Sequence, residues 1–348
     1  MSSEYAAFGL APAMRAGGAL AGGDDHAHRE FVDFIVDGHP LLSRLCDLGA
    51  VSPLASDVPP AIFTAQARGL LLEAGAPLHG GRYVIYGCPE CESVECGAVT
   101  ALVERDGDDY VWRDFAWQTG ERADLERNGY HGVGPFRFHG PEYRDALNAL
   151  LGGAAGSRRV LLIGARGAPL AKPAAALRAI GIGADIARDT VGVTVDELRA
   201  YGAVLFGRAV PEAERAAVRE SFRGAGVDVA QVEGLAPIVP LLVAQIEHAL
   251  DRSPVEQRRL TRLVAADREA GVEVTSTCRV RLTVYRRDRL ARTRAHDVFD
   301  GVLHTGHHRI PLEARAVKGE SFIVARTSGS VPVEPVTHRR AVGRGDRR

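Results

Sequence analysis

The strongest pattern in the chain is a fourfold alternation of apolar runs and helix-spaced stretches between residues 158 and 251. The runs are RVLLIGA (159–165), GADIARD (183–189), GAVLFGRAV (202–210) and VDVAQVEG (227–234). Between and after them, LAKPAAALRAIG, VDELRAYG, PEAERAAVRESFRGAG and APIVPLLVAQIEHAL carry apolar residues at helical intervals. Strands apolar on both faces, joined through helices by short loops, predict a parallel sheet covered on both sides. The pattern therefore predicts a Rossmann-like α/β domain over 158–251.

The flanking regions read differently. Residues 1–28 are small, Gly/Ala-rich and without period, which predicts a flexible tail. From 29 to 152 strand and helix signals mix, as in an α+β domain. FVDFIVDG (31–38) reads as a strand running into an Asp-Gly turn. AVTALVERDGDDYVWRDFAWQ reads as a hairpin turning at Asp106-Gly107. Strict alternation in its second strand puts Val111, Arg113 and Phe115 on one face and Tyr110, Trp112 and Asp114 on the other. A helix is expected from about Pro141 to Gly152, and GGAAGSRR (152–159) reads as a linker. The spacing of SPVEQRRLTRLVAADREAG predicts a connecting helix over 253–271. From Val272 the period becomes two, predicting a small antiparallel β-sandwich over 272–336 and a basic tail over 337–348. The expected fold class is thus multidomain.

Composition narrows the classes. A chain of 348 residues with 46% hydrophobic and 25% charged residues has the make-up of an ordinary globular protein. A net charge of −1 argues against a generic binder of nucleic acid or membrane. Of the 43 basic residues only Lys172 and Lys318 are lysine, which reads as the codon bias of a GC-rich bacterial genome. The first residues lack the basic start of a secretory leader, and no apolar run reaches the length of a membrane span. With five cysteines and no export signal, the expected compartment is a reducing cytoplasm, where cysteines are thiols or metal ligands.

Two sets of residues offer chemistry. Cys88, Cys91 and Cys96 follow a strand within nine residues, a spacing that can bring three thiolates to one zinc ion or an Fe–S iron. Cys46, His79 and His131 are candidates for a fourth ligand, and free or redox-active thiols are the alternative. In the first strand–helix turn of the α/β region, Gly164 and Gly167 leave room for a pyrophosphate. Asp185 and Asp189 stand about 20 residues on, where a ribose-binding carboxylate belongs in a dinucleotide site. That site would bind NAD(P). The full GxGxxG is absent, and a simple chain reversal also explains both glycines. The positions of a phosphoacceptor site read Gly164-Ala165 and Gly207-Arg208, which argues against receiver-type phosphotransfer. Arg279 and Arg281 share a strand face with Thr283 and Tyr285, giving a basic exposed stripe with few aromatics for stacking on bases. His304, His307 and His308 cluster in one turn.

Two resemblances add expectations. Val284-Tyr285, Gly306-x-His308-x-Ile310-x-Leu312, and Val317 with Phe322-Ile323-Val324 resemble the Ig-like sandwich of flagellar-hook-capping proteins and secretion-sorting domains. Phe322 stands where that pattern has Tyr. This resemblance implies protein contact rather than catalysis. YGCPECESVECGAVT and VWRDFAWQ resemble a family of actinobacterial proteins, some of them labelled oxidoreductase, which brings no established active site to these positions.

The leading expectation is a cytoplasmic, non-catalytic binding or assembly protein with a structural zinc site. It would meet a protein partner through the C-terminal sandwich, and neither a specific nucleic acid nor a membrane. One alternative is an NAD(P)-dependent oxidoreductase. The other is a thiol- or metal-dependent enzyme at the cysteine cluster.

Overall fold

The computed structural model describes residues 5–17, 27–45, 49–54, 66–88, 96–152, 159–165, 168–233, 238–288 and 292–338. Among them the strands form four sheets, one parallel and the others mostly or wholly antiparallel.

Residues 8–15, expected within a flexible tail, form a strand. Strand β1 (Phe8–Arg15) pairs antiparallel with β2 (Arg29–Val36) along its whole length, from Phe8↔Val36 to Arg15↔Arg29. The small residues hid a strand whose anchors are few but deep. The Phe8 ring lies 4.5 Å from the Tyr143 ring and 5.0 Å from that of Phe138, and Met14 is buried. β1 is the edge of its sheet, a position that tolerates Pro12. After β2, Asp37 and Gly38 both take positive φ (53° and 75°), the turn the Asp-Gly pair predicts, and lead to β3 (His39–Pro40) and helix α1 (Leu41–Arg44).

The second sheet runs β4 (Arg82–Gly87), β5 (Ala98–Asp106), β6 (Asp109–Gln118), β7 (Phe136–Phe138), each antiparallel to the next. One apolar core lies between both sheets and the helix Gly140–Gly152. The alternation expected in β6 fails at one place. Asp114 has φ 56° and the β5–β6 register slips between Thr100 and Leu102, so an extra residue bulges out. Phe115 therefore joins Tyr110 and Trp112 in the core.

Over 159–250 the expected parallel sheet forms. Strands β8 (Arg159–Ile163), β9 (Gly183–Ala187), β10 (Tyr201–Phe206) and β11 (Ala230–Glu233) are parallel, in the order β11-β10-β8-β9. Alternate residues of β8 face opposite cores. Val160 and Leu162 meet helices Ala168–Ala179 and Val239–Leu250, whereas Leu161 and Ile163 meet Val195–Arg199 and Glu212–Gly224. Most of the 152–159 linker lies outside the described residues.

The connecting helix over 253–271 does not form. That stretch holds a short 3-10 turn (Val255–Gln257), then β12 (Leu260–Ala266) and β13 (Glu269–Val274), which pair antiparallel about a turn at Asp267. The cause is a bulge between Leu260 and Arg262, which sends both Leu260 and Leu263 inward. A strand so interrupted shows the three-residue spacing of a helix. The C-terminal sheet thus starts at Leu260 rather than Val272. It continues through β14 (Cys278–Arg287), β15 (Thr293–Leu303), β16 (Gly306–Pro311), β17 (Ser321–Arg326) and β18 (Val333–Thr337). Its order is β15-β14-β17-β18-β12-β13-β16, antiparallel except where β12 meets β18. Thr337 closes β18, and residues 339–348 of the expected basic tail lie outside the described residues.

Candidate functional site

The cysteine segment is the loop of the β4–β5 hairpin. Gly87 pairs with Ala98, so Cys88 leaves one strand where the chain from Cys96 joins its neighbour. Residues 89–95, Cys91 and the adjacent glutamates among them, lie outside the described residues, as does Cys46. Cys96 is disulfide-bonded, while Cys88 and Cys278 are not in disulfides. The expectation of thiols throughout is therefore corrected at Cys96. Gly97 has φ 102°, and a Cβ there would sit 2.0 Å from a ring carbon of Trp117. Only glycine lets the indole lie against the backbone beside Cys96. His79 is not near this end, because Leu78 bridges Arg82 at the opposite end of β4, roughly 17 Å away at strand rise. His131 is exposed, two residues beyond the bridge of Gly129 to Ala116 on β6.

In the parallel sheet the four proposed nucleotide residues do not converge. Gly164 lies at the carboxyl end of β8, its N–H donating to the Ala187 carbonyl at 3.1 Å. Asp189 follows β9 at the same end, exposed, and accepts from the Val191 N–H at 2.9 Å. Gly167 lies outside the described residues. Asp185 points elsewhere. It meets Arg159 at 2.6 Å and accepts from the Tyr201 hydroxyl at 3.0 Å, both first residues of their strands. It therefore faces the amino ends of β8 and β10, away from the carboxyl ends where open parallel sheets bind ligands.

The basic stripe on β14 is neutralised across the hairpin. Arg279 donates to Asp300 at 2.9 Å and Arg281 to Asp297 at 2.7 Å. The histidine turn is equally occupied by its surroundings. His308 Nε2 lies 2.6 Å from the His304 carbonyl, and His307 stands 3.6 Å from Glu273. Among the described residues no group of three or more His, Cys, Asp or Glu is arranged to hold a metal ion.

Two buried polar sites emerge that spacing alone did not single out. In the first, Glu247 of the helix Val239–Leu250 is fully buried and meets Arg326 of β17 at 2.6 Å. Glu247 also accepts from the Gly17 N–H at 2.8 Å, and His28 stands 3.8 Å away. Burial alone would raise the Glu247 pKa, but Arg326 and His28 overcome it and hold the carboxyl down at about 2. Burial would likewise depress His28, and Glu247 with Glu30 instead raises it to about 9. The second site is Asp33 on β2, which accepts from the Tyr86 hydroxyl at 2.5 Å. It lines a cavity of about 30 Å³ shared with Arg15, Gln257 and Arg259. Burial raises its carboxyl to about 7 against the opposing pull of Tyr86, the Phe34 N–H and Arg259. The signals were a carboxylate amid FVDFIV and another in the greasiest helix.

Among the described residues no helix is long and apolar enough to cross a membrane. Compared with protein-family models, curated proteins and solved structures, the chain matches none.

Proposed function

We propose that the protein is a non-catalytic binding or assembly protein of the cytoplasm. The engagement of Asp185 carries this reading. The carboxylate best spaced for a ribose is bonded to Arg159 and Tyr201 toward the other end of the strands. The neutralised β14 stripe supports a partner other than nucleic acid. The partner this reading assigns is an extended protein segment, pairing with the C-terminal sheet, read as an Ig-like sandwich. Strand β15, eleven residues long and largely exposed, ends that sheet and offers an edge for such pairing.

The cysteine hairpin is thiol-sensitive in this reading. A disulfide sulfur has no thiolate to give a metal, so the form with Cys96 oxidised does not fit zinc. The reduced chain offers Cys88, Cys91 and Cys96 as zinc ligands. Elemental analysis of untagged protein kept under reductant tests this. About one zinc per chain, lost in Cys88→Ser and on oxidation, is the expected result. A metal-free, folded, reduced chain rejects the zinc site.

A second reading, an NAD(P)-dependent oxidoreductase on a Rossmann-like domain, is favoured by one observation. Gly164 and Asp189 share the carboxyl edge of the parallel sheet. Fluorescence titration with NADH and NADPH separates the two. Saturable binding weakened by Asp189→Ala but not by Asp185→Ala would replace the binding-protein reading, whereas no binding at millimolar cofactor removes the oxidoreductase.

A further inference from the structure

The cavity at Asp33 is walled by segments far apart in the chain. Its walls come from β1, β2 and α1 on one side, and from the approach to β12 and the turn between β17 and β18 on the other. It is thus the seam between the first sheet and the C-terminal sheet. The titratable and charged groups facing the Asp33 carboxyl are Tyr86 of β4, Arg15 of β1 and Arg259 ahead of β12. Gln257, across the seam, has its Oε1 buried with no hydrogen-bond partner among the described residues. The cavity of about 30 Å³ has a mixed polar and apolar lining and room for about two water molecules, so protons can reach it.

The two protonation states of Asp33 need different surroundings. The neutral carboxyl accepts from Tyr86 on one oxygen and has a proton to give from the other. Gln257 Oε1, without a hydrogen-bond partner among the described residues, lines the same cavity as an acceptor, and the cavity has room for water as another. The ionised carboxylate gives no proton to the seam. In so buried a place it needs compensation by Arg259 or by hydration that so small a cavity limits.

We propose that Asp33 is a proton switch for the seating of the C-terminal sheet on the first sheet, closing the seam when protonated and loosening it when ionised. The direction follows from linkage. In the open seam the carboxyl is hydrated and titrates like an ordinary aspartate, near 4. In the closed seam burial holds it at about 7. Between those values the closed form binds one proton more than the open form, so closure weakens as pH rises and levels off above the upper value.

Amide hydrogen exchange on the full chain tests this, read at Gln257 and Thr327, whose N–H groups donate to Pro254 and Ser330 on the far wall. After correction for intrinsic rates, protection should fall up to about ten-fold per pH unit between pH 5 and 7 and flatten above. Asp33→Asn, a neutral isostere that still accepts from Tyr86, should remove that slope. A flat wild-type profile, or the same slope in Asp33→Asn, overturns the proposal. Should the variant not fold, carboxyl carbon NMR of the wild type decides. A midpoint near 7 that moves up in Tyr86→Phe supports the switch, and an ordinary midpoint near 4 rejects it.

Discussion

Glu247 and Arg326 lie 79 residues apart in sequence and meet at 2.6 Å with the carboxylate wholly out of solvent. The pair ties the last helix of the parallel-sheet region to the C-terminal sheet. Gly17, which donates to Glu247 Oε1, ties the N-terminal strand to both. Breaking the pair from one side strands a buried charge. Glu247→Gln or Arg326→Met should each lower stability by about 3–5 kcal/mol in urea unfolding. The double change Glu247→Leu with Arg326→Leu should recover part of that loss, because the two charges leave together, the remainder being the Gly17 N–H and His28 left without their acceptor. Two single losses that simply add in the double variant would contradict this account.

The same cluster sets a stability limit at alkaline pH. The His28 pKa is raised above its unfolded value, so the stability it contributes is complete below pH 6.5 and is lost as pH rises through about 9. Glu247 behaves oppositely, its contribution being present above pH 4.5 and lost only as pH falls through about 2. Melting temperatures taken between pH 6 and 10 should therefore decline in the wild type. In His28→Asn the decline should largely disappear, from a lower starting value. An unchanged alkaline slope in the variant would assign it to other groups.

Trp117 should report the oxidation state of Cys96. The indole rests on Gly97, one residue away, and a neighbouring disulfide quenches indole emission by electron transfer. Reduction should raise emission in the wild type and have little effect in Trp117→Phe, which keeps only Trp112. Gly97→Ala places a side chain at φ 102° and against the ring. It should cost about 1–3 kcal/mol in chemical denaturation and displace the Trp117 signal.

Residues 5–16 are structural, and a truncation of residues 1–16 tests this. Removing them takes away β1, bares one edge of β2 and withdraws Phe8 from the aromatic core. The shortened chain should elute as aggregates on size exclusion or fail to give a cooperative melt. A monomeric, cooperatively folding product would mean that β1 adds little.

What the sequence disclosed depended on how regular each element is. Val160, Leu161, Leu162 and Ile163 are apolar because both sheet faces are covered, and such a run needs no period to be read. Bulges defeated the reading elsewhere. The one between Leu260 and Arg262 turned a strand into an apparent helix, and Asp114 moved Phe115 to the face opposite the one alternation assigns. The thiol cluster was visible as spacing, but the disulfide at Cys96 was not, because oxidation state is no property of spacing. Asp185 stood at the right interval for a ribose and points to the wrong end of the sheet, since counting residues does not orient a strand. Asp33 and Glu247 were legible only as carboxylates out of place in apolar elements. Their meaning required partners from distant parts of the chain.

The Glu247–Arg326 contact also dictates an order of events during synthesis. Glu247 leaves the ribosome well before Arg326, and while the C-terminal strands are still unmade its carboxylate has no guanidinium to meet. The helix that carries it can form early, with Gly17 and His28 already made and able to meet the carboxylate. The full set of partners is complete only once β17 has emerged, because Arg326 supplies the closest opposite charge. A nascent chain released before that point would hold the helix with its buried carboxylate only partly compensated.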